Sequence, residues 1–366
     1  MAALTRLLES SWTRVVIGVA IGVVLVLLPL SSPAFTNQTI TRIAVFAVAV
    51  LGLNIIMGYA GQVMLGQIFF VGVGAYAAAI TVRSDWGAAL GFWGVVAAFV
   101  LAVLVPGVMG LLVALAAARL RGLAIAMVTI ALPIVGVPVA KRLSDITGGS
   151  QGISARVFGA PEWTGLDNDQ WQYYVVMTIA AVVFALAFFL VRGKYGRAFA
   201  IVKENEAVAA SMGISPYRYK VLAFTIAAMF GGVAGFLYIA AIQFTSPETL
   251  SFGHSIELVI ATIVGGAGSI VGSILGGIYY VLVPQLTNAV NPNATAVVQG
   301  VIVLVVLFVL PGGLASLPRA IRRLVRRKRG PDVAGPAATE RRTPEGITPG
   351  AGDALPPREN EERQNR

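Results

Sequence analysis

Long apolar runs separated by short polar stretches set the pattern of this chain, and within them neither the helical nor the strand alternation of a half-buried element holds. A helix that crosses a bilayer needs roughly 20 predominantly apolar residues. Runs of that kind fall near 15–30, 41–58, 63–82, 92–118, 122–140, 172–191, 217–241, 257–283 and 297–317. They predict an all-α polytopic membrane protein. The run 257–283 exceeds one span and holds IVGGAGSIVGSILGG, Ile263–Gly277, whose glycines interrupt a helix readily. Two short crossings joined near Gly265–Ser269 are expected there, which brings the total to about ten transmembrane helices.

Charge between the runs sets an orientation. Arg6 and Arg14, Arg119 and Arg121, the segment RGKYGRAFAIVKENEAVAASMGISPYRYK (Arg192–Lys220) and RAIRRLVRRKR (Arg319–Arg329) are expected in the cytoplasm under the positive-inside rule. The alternate stretch Lys141–Trp171 mixes three basic with four acidic residues, and the stretch after Ala241 has only Glu248. The predicted layout is a cytoplasmic N-terminus over 1–14, a transmembrane domain over 15–318 and a cytoplasmic tail over 319–366. Within the transmembrane domain, 192–220 is a cytoplasmic loop and 141–171 an extracytoplasmic one. The tail is basic at first and reads beyond Gly330 as disordered, being rich in Pro, Gly, Glu, Arg and Thr without apolar periodicity. The first run has a poor small-residue cleavage pattern, so it reads as an uncleaved helix.

Composition agrees: of 366 residues 57% are hydrophobic and 12% charged, with a mean hydropathy of +0.81, far from a soluble domain. The net charge of +10 comes from membrane flanks, so it points to the lipid surface and not to nucleic acid. No cysteine and a single histidine, His254, exclude disulfides, thiolate chemistry and a histidine-rich metal site. There is no GxxxxGK[ST] phosphate loop and no HExxH pair, so no catalytic residue, metal site or cofactor is expected. The spans are nearly free of charge. Arg42, His254 and Glu257 read as solvated flanks, which removes the intramembrane charges that ion-coupled carriers use.

Two features carry candidate chemistry. In Arg192–Lys220, Ala198, Ile201, Val202, Val208, Ala209 and Met212 recur at helical spacing with Asn205 filling the gap, opposite Lys203, Glu204 and Glu206. This predicts one short amphipathic helix, ended by a left-handed Gly213 and followed by Ser215–Pro216 as N-cap and first turn of the next span. It could rest on lipid headgroups or dock a cytoplasmic partner. GYAGQVMLGQ (Gly58–Gln67) and GGAGSIVGS (Gly265–Ser273) put glycines and small polar residues inside apolar surroundings. Close helix packing is one use of such segments, and interrupted helices lining a path are the other. In the second reading Asn54, Tyr59, Gln62 and Gln67 on one side, with Gly265, Gly266, Gly268, Ser269 and Ser273 on the other, offer neutral contacts to a small solute.

GLNIIMGYAGQVMLGQIFFVGVGAYAAA (Gly52–Ala79), TGGSQGI (Thr147–Ile153), the Arg192–Lys220 segment with its continuation VLAFTIAAMFGGVAGFLY, and SIELVIATIVGGAGSIVGSILGG occur in order. Together they resemble the permease subunits of branched-chain amino acid ABC importers over about residues 40–318, and among the two permeases of such systems the LivM-like subunit. The resemblance implies a type II ABC importer-like fold with discontinuous helices and a cytoplasmic coupling helix. Gly196, Arg197, Glu204, Asn205, Glu206, Ala209 and Gly213 would form the coupling surface, although Glu206 stands one residue further from Gly213 than in the EAA-and-glycine loop of other importers. The implied partners are two ATP-binding subunits, a second homologous permease in a heterodimer, and an extracytoplasmic substrate-binding protein facing TGGSQGI and the loop to Trp171. The implied location is the cytoplasmic (inner or plasma) membrane with both termini inside. Branched-chain amino acids rank first as solute, urea or short-chain amides second. A stand-alone channel or facilitator, which predicts downhill flux without ATPases, is the alternative of a different class.

Overall fold

The computed structural model describes residues 22, 26–119, 123–290, 295–309 and 312–317. Arg6, Arg14, Arg121, most of the run 15–30 and the tail from Arg319 lie outside the described residues.

Helix α1 (Ala34–Asn54) continues through a π-helical turn, Ile55–Tyr59. It is followed by α2 (Gln67–Arg83), α3 (Phe92–Ala117), α4 (Leu123–Arg142) and α5 (Asn168–Arg192). Two short helices, α6 (Lys194–Glu204) and α7 (Glu206–Ser211), precede α8 (Pro216–Ile242), α9 (Phe252–Gly265), α10 (Ile270–Val290) and α11 (Thr295–Val309). The extended structure among the described residues is one antiparallel pair, β1 (Ile153–Ser154) with β2 (Phe244–Thr245), in register Ile153 to Thr245. Six helices among the described residues are long and apolar enough to cross a membrane, and three shorter ones are apolar.

Helices α1 and α8 form the centre: 72% and 67% of their most apolar stretches are buried, against 22% for α5. In hydrocarbon, two apolar helices gain nothing by hiding from the solvent, so close packing between small residues must hold them. The sequence supplies it. A Cβ at Gly232 of α8 would stand 2.1 Å from the Ala102 carbonyl of α3, so the two backbones touch there.

The long run 257–283 divides as expected, at Gly266–Ser269 between α9 and α10. Gly266 (φ 115°) and Gly268 (φ 84°) take conformations that disfavour any side chain. The second piece is not short, however, since α10 has 21 residues. The run 63–82 starts late. Residues 60–66 are non-helical, and Gln67 Nε2 donates to the Ala227 carbonyl at 2.9 Å. Ala227 lies about 16 Å along α8 from Pro216, so the connection climbs well into the bundle before α2 begins.

The single amphipathic helix expected in Arg192–Lys220 is two helices. Asn205 is extended (φ −159°, ψ 116°), and its Oδ1 accepts from the Ala207 and Val208 amides at 2.9 and 3.3 Å. Asparagine competes with the helix for backbone partners and serves better as a cap. Gly213 (φ 78°) ends α7 in the left-handed region, with the Ile214 amide bonded to the Ala209 carbonyl at 2.9 Å. Ser215 takes the N-cap position before Pro216 but makes no side-chain capping bond.

Candidate functional site

At the end of the bundle that carries α6 and α7, the two glycine-rich interruptions meet. A π-turn shifts the backbone ladder and leaves carbonyls out of register. At its close, the Gly58 carbonyl accepts from Lys203 Nζ of α6 at 2.7 Å. A Cβ on Gly58 would stand 2.2 Å from the Gly268 amide, so glycine is required for the two backbones to touch. Asn54, fully buried, ties the junction: its Oδ1 accepts from the Gly268 amide at 2.6 Å, and its Nδ2 donates to the Ser269 carbonyl at 2.7 Å and to Ser273 Oγ at 2.9 Å. The Tyr59 hydroxyl meets the backbone of Ile270. A continuous set of polar contacts thus runs from α6 through the end of α1 to the α9–α10 turn.

The non-helical stretch 60–66 is held on two sides. Gly61 packs on the Lys203 stem, and the Leu65 amide donates to Thr129 Oγ1 of α4 at 3.0 Å. Gln62 Nε2 reaches the Lys220 carbonyl at 3.4 Å, and Lys220, itself buried, pairs through Nζ with Glu206 of α7.

The opposite end is capped by the TGGSQGI turn. Thr147 Oγ1 lies within donating distance of the Ala140 carbonyl of α4 and the Leu143 carbonyl just beyond it, and accepts from the Gly149 amide at 3.2 Å, while Gly148, Gly149 and Gly152 have positive φ. This sets β1 against β2, and Lys141 at the end of α4 pairs with Glu248 just beyond β2 at 2.7 Å. The turn also spells GGSQG, which shares the spacing of a hydrolase nucleophile elbow. Ser150 sits exposed in a short 3₁₀ turn and not between a strand and a helix, while the chain's one histidine bonds Glu257. Among the described residues no group of three acidic or histidine side chains could hold a metal ion.

Residues 35–310 match the family described as branched-chain amino acid transport system / permease component. The chain belongs to that family. It is 31% identical over 302 residues to the high-affinity branched-chain amino acid transport system permease protein LivM of Salmonella typhimurium, covering 76% of this chain and 69% of that one. To LivM of Escherichia coli it is 30% identical over 324 residues, 82% of this chain and 75% of the relative. To the permease protein LivH of Salmonella typhimurium it is 28% identical over 174 residues, 47% and 53% of the two chains.

In this permease the residues singled out for a path divide. Asn54, Tyr59, Gly268, Ser269 and Ser273 come together, and Gly265 and Gly266 pack behind them against α10 and the 312–315 segment. Gln62 and Gln67 instead bond carbonyls of α8, and Gln67 Oε1 is buried without a partner. The coupling candidates divide as well. Gly196 and Ala209 are buried, and a Cβ at Gly196 would collide with the Val191 carbonyl, so this glycine lets α6 fold back on α5. Arg197, Glu204 and Gly213 are exposed, Asn205 caps α7, and Glu206 is committed to Lys220. Val208 on α7 and Met212 just after it, expected on the apolar face of the amphipathic helix, are 50% and 62% exposed. Lys203, expected on the polar face of the helix, reaches the Gly58 carbonyl in the bundle. No local signal marks it, because its acceptor lies 145 residues away.

Proposed function

We propose that this permease is a translocating subunit of an ATP-driven importer of branched-chain amino acids, and that α6 and α7 transmit the movement of ATP-binding subunits to a gate. The observation that carries the reading is the contact series Lys203, Gly58, Gly268 and Asn54. It links a polar, partly exposed helix pair to a place where the interruption after α1 touches the α9–α10 turn. Val208 on α7 and Met212 just after it are exposed, as is Glu204 at the end of α6, and they give a docking subunit apolar and charged side chains to meet.

In this mechanism closure of the ATP-binding subunits displaces α6 and α7. Lys203 draws on the Gly58 carbonyl, and the π-turn absorbs the change because its ladder is already out of register. Asn54 then exchanges its partners on the α9–α10 turn, and the passage between α1 and α10 opens. The neutral side chains Asn54, Ser269 and Ser273 flank that passage, and such contacts do not trap a zwitterion. The wider architecture is a type II-like importer of about ten transmembrane helices, with the α6–α7 end and both termini in the cytoplasm. A second homologous permease completes a heterodimer, and a substrate-binding protein docks on the TGGSQGI cap.

The test is mass spectrometry of what co-purifies with the tagged chain after gentle solubilisation of its native membrane. Two ATP-binding subunits and a second permease are expected. Their absence, with a known importer intact in a parallel preparation, would replace this reading by a self-sufficient facilitator. Competition by urea or acetamide against leucine uptake separates the amide importers from the branched-chain reading.

A further inference from the structure

A cavity of about 250 Å³ lies at the TGGSQGI end of the bundle, enclosed by α1, α2, α8, α9, α10 and the turn after β2. Its walls are unlike those of the larger furrow between α3 and α5, which is lined by apolar side chains such as Phe99, Ile179 and Phe236 and suits lipid. Three aromatic rings come together in it: Phe46 lies against Tyr280 with centroids 4.1 Å apart, and Tyr238 stands edge-on to Phe46 at 6.2 Å. His254 Nδ1 is 3.2 Å from Glu257 Oε2 and 3.4 Å from the Tyr280 hydroxyl. Glu248 enters from the turn, and the remaining wall is aliphatic, from Ile68 and Val71 of α2.

Two parts of an aliphatic zwitterion, its ammonium group and its side chain, find a counterpart in these walls. Aromatic faces attract an ammonium group, a nearby carboxylate adds to that attraction, and an aliphatic wall accepts a branched side chain. Pockets for drug-sized ligands span about 300–1,000 Å³, so this one suits a single amino acid. Glu248 is already paired with Lys141 and Glu257 with His254, which keeps the attraction weak enough for release.

The cavity also stands in line with the junction described above. Phe46 and Asn54 share α1 about 12 Å apart along the axis, and Tyr280 and Ser273 share α10 about 10 Å apart. Between the two, Gly277 of α10 packs on Ala47 of α1, so a solute in the cavity would reach Asn54 only when α1 and α10 part.

We propose that this cavity is an outer solute site of the permease, in which Phe46, Tyr238 and Tyr280 with Glu248 receive the ammonium group of an aliphatic α-amino acid before the gate. The proposal rests on the importer reading. The absence of cysteine in the chain makes it testable. Thr249, which lines the cavity, is replaced (Thr249→Cys), and labelling of this chain by a small membrane-impermeant maleimide is followed in the purified complex without its binding protein. Excess leucine should slow labelling several-fold and acetamide should not. Adding Phe46→Leu should abolish leucine protection, read as the ratio of the labelling rates with and without leucine in that same variant. Labelling indifferent to leucine, in a complex whose unaltered form accumulates leucine with ATP, overturns the site and leaves the importer reading standing. Protection that survives Phe46→Leu overturns the aromatic recognition. Failure of the unaltered complex to transport leucine at all counts against the importer reading itself.

Discussion

Replacing Lys203 by methionine keeps the stem that packs on Gly61 and removes only the ammonium that holds the Gly58 carbonyl. A hydrogen bond from a charged donor contributes roughly 1.5–3 kcal/mol when shielded. Lys203 is an exposed residue although this bond is partly buried, and screening reduces that to about 1 kcal/mol. If this bond makes the gate follow α6, its loss lowers the fraction of cycles in which the gate follows by about fivefold. The assay is ATP-driven leucine uptake and ATP hydrolysis in the same proteoliposomes. Leucine accumulated per ATP should fall about fivefold in Lys203→Met, with hydrolysis near the unaltered rate, and Lys203→Arg should recover part of it. An unchanged ratio in Lys203→Met would refute the link between α6 and the π-turn.

Four further outcomes follow from the same contacts. Gly58→Ala places a methyl 2.1 Å from Asn54 Oδ1 and 2.2 Å from the Gly268 amide, so it should abolish uptake while the chain still inserts, as read by uptake and membrane fractionation. Gly268→Ala forces a side chain into φ 84°, at a cost of about 1–2 kcal/mol, and should lower the melting temperature in detergent. Glu206→Gln leaves buried Lys220 without its carboxylate; the melting temperature should fall by an amount equivalent to about 1–2 kcal/mol, and Lys220→Met in the same chain should restore it. Val208→Asp with Met212→Glu alters exposed positions on α7 and at its C-terminal cap, so stability should change by less than about 0.5 kcal/mol while co-purification of ATP-binding subunits drops.

Which parts of this structure could be read from the sequence follows from the range of the interactions behind them. The helices were legible because a bilayer span depends on length and apolarity alone. The break at Gly266–Ser269 was legible because glycine marks it locally. Asn205 was misjudged for a related reason: averaged over the segment, the apolar spacing runs across it, yet one asparagine capping α7 overrides the average. Asn54 was placed on one side of a path and Ser269 and Ser273 on the other, as contacts for a solute. Their mutual hydrogen bonds were not anticipated, since these partners are 215 and 219 residues apart. Lys203 and Lys220 were read as ordinary loop cations, and only the fold shows that each turns inward. Glu206 illustrates the reverse: chosen as a surface contact for a partner, it is held by a lysine of its own chain.

The central claim is that this permease moves branched-chain amino acids only when ATP is hydrolysed by its partners. The most direct test is leucine accumulation in proteoliposomes holding the complex as purified through this chain, with leucine-loaded binding protein outside and ATP either present or absent inside. Accumulation above the external leucine concentration with ATP, and none without it, is the predicted result. Equal downhill flux in both conditions would contradict the account and identify a facilitator.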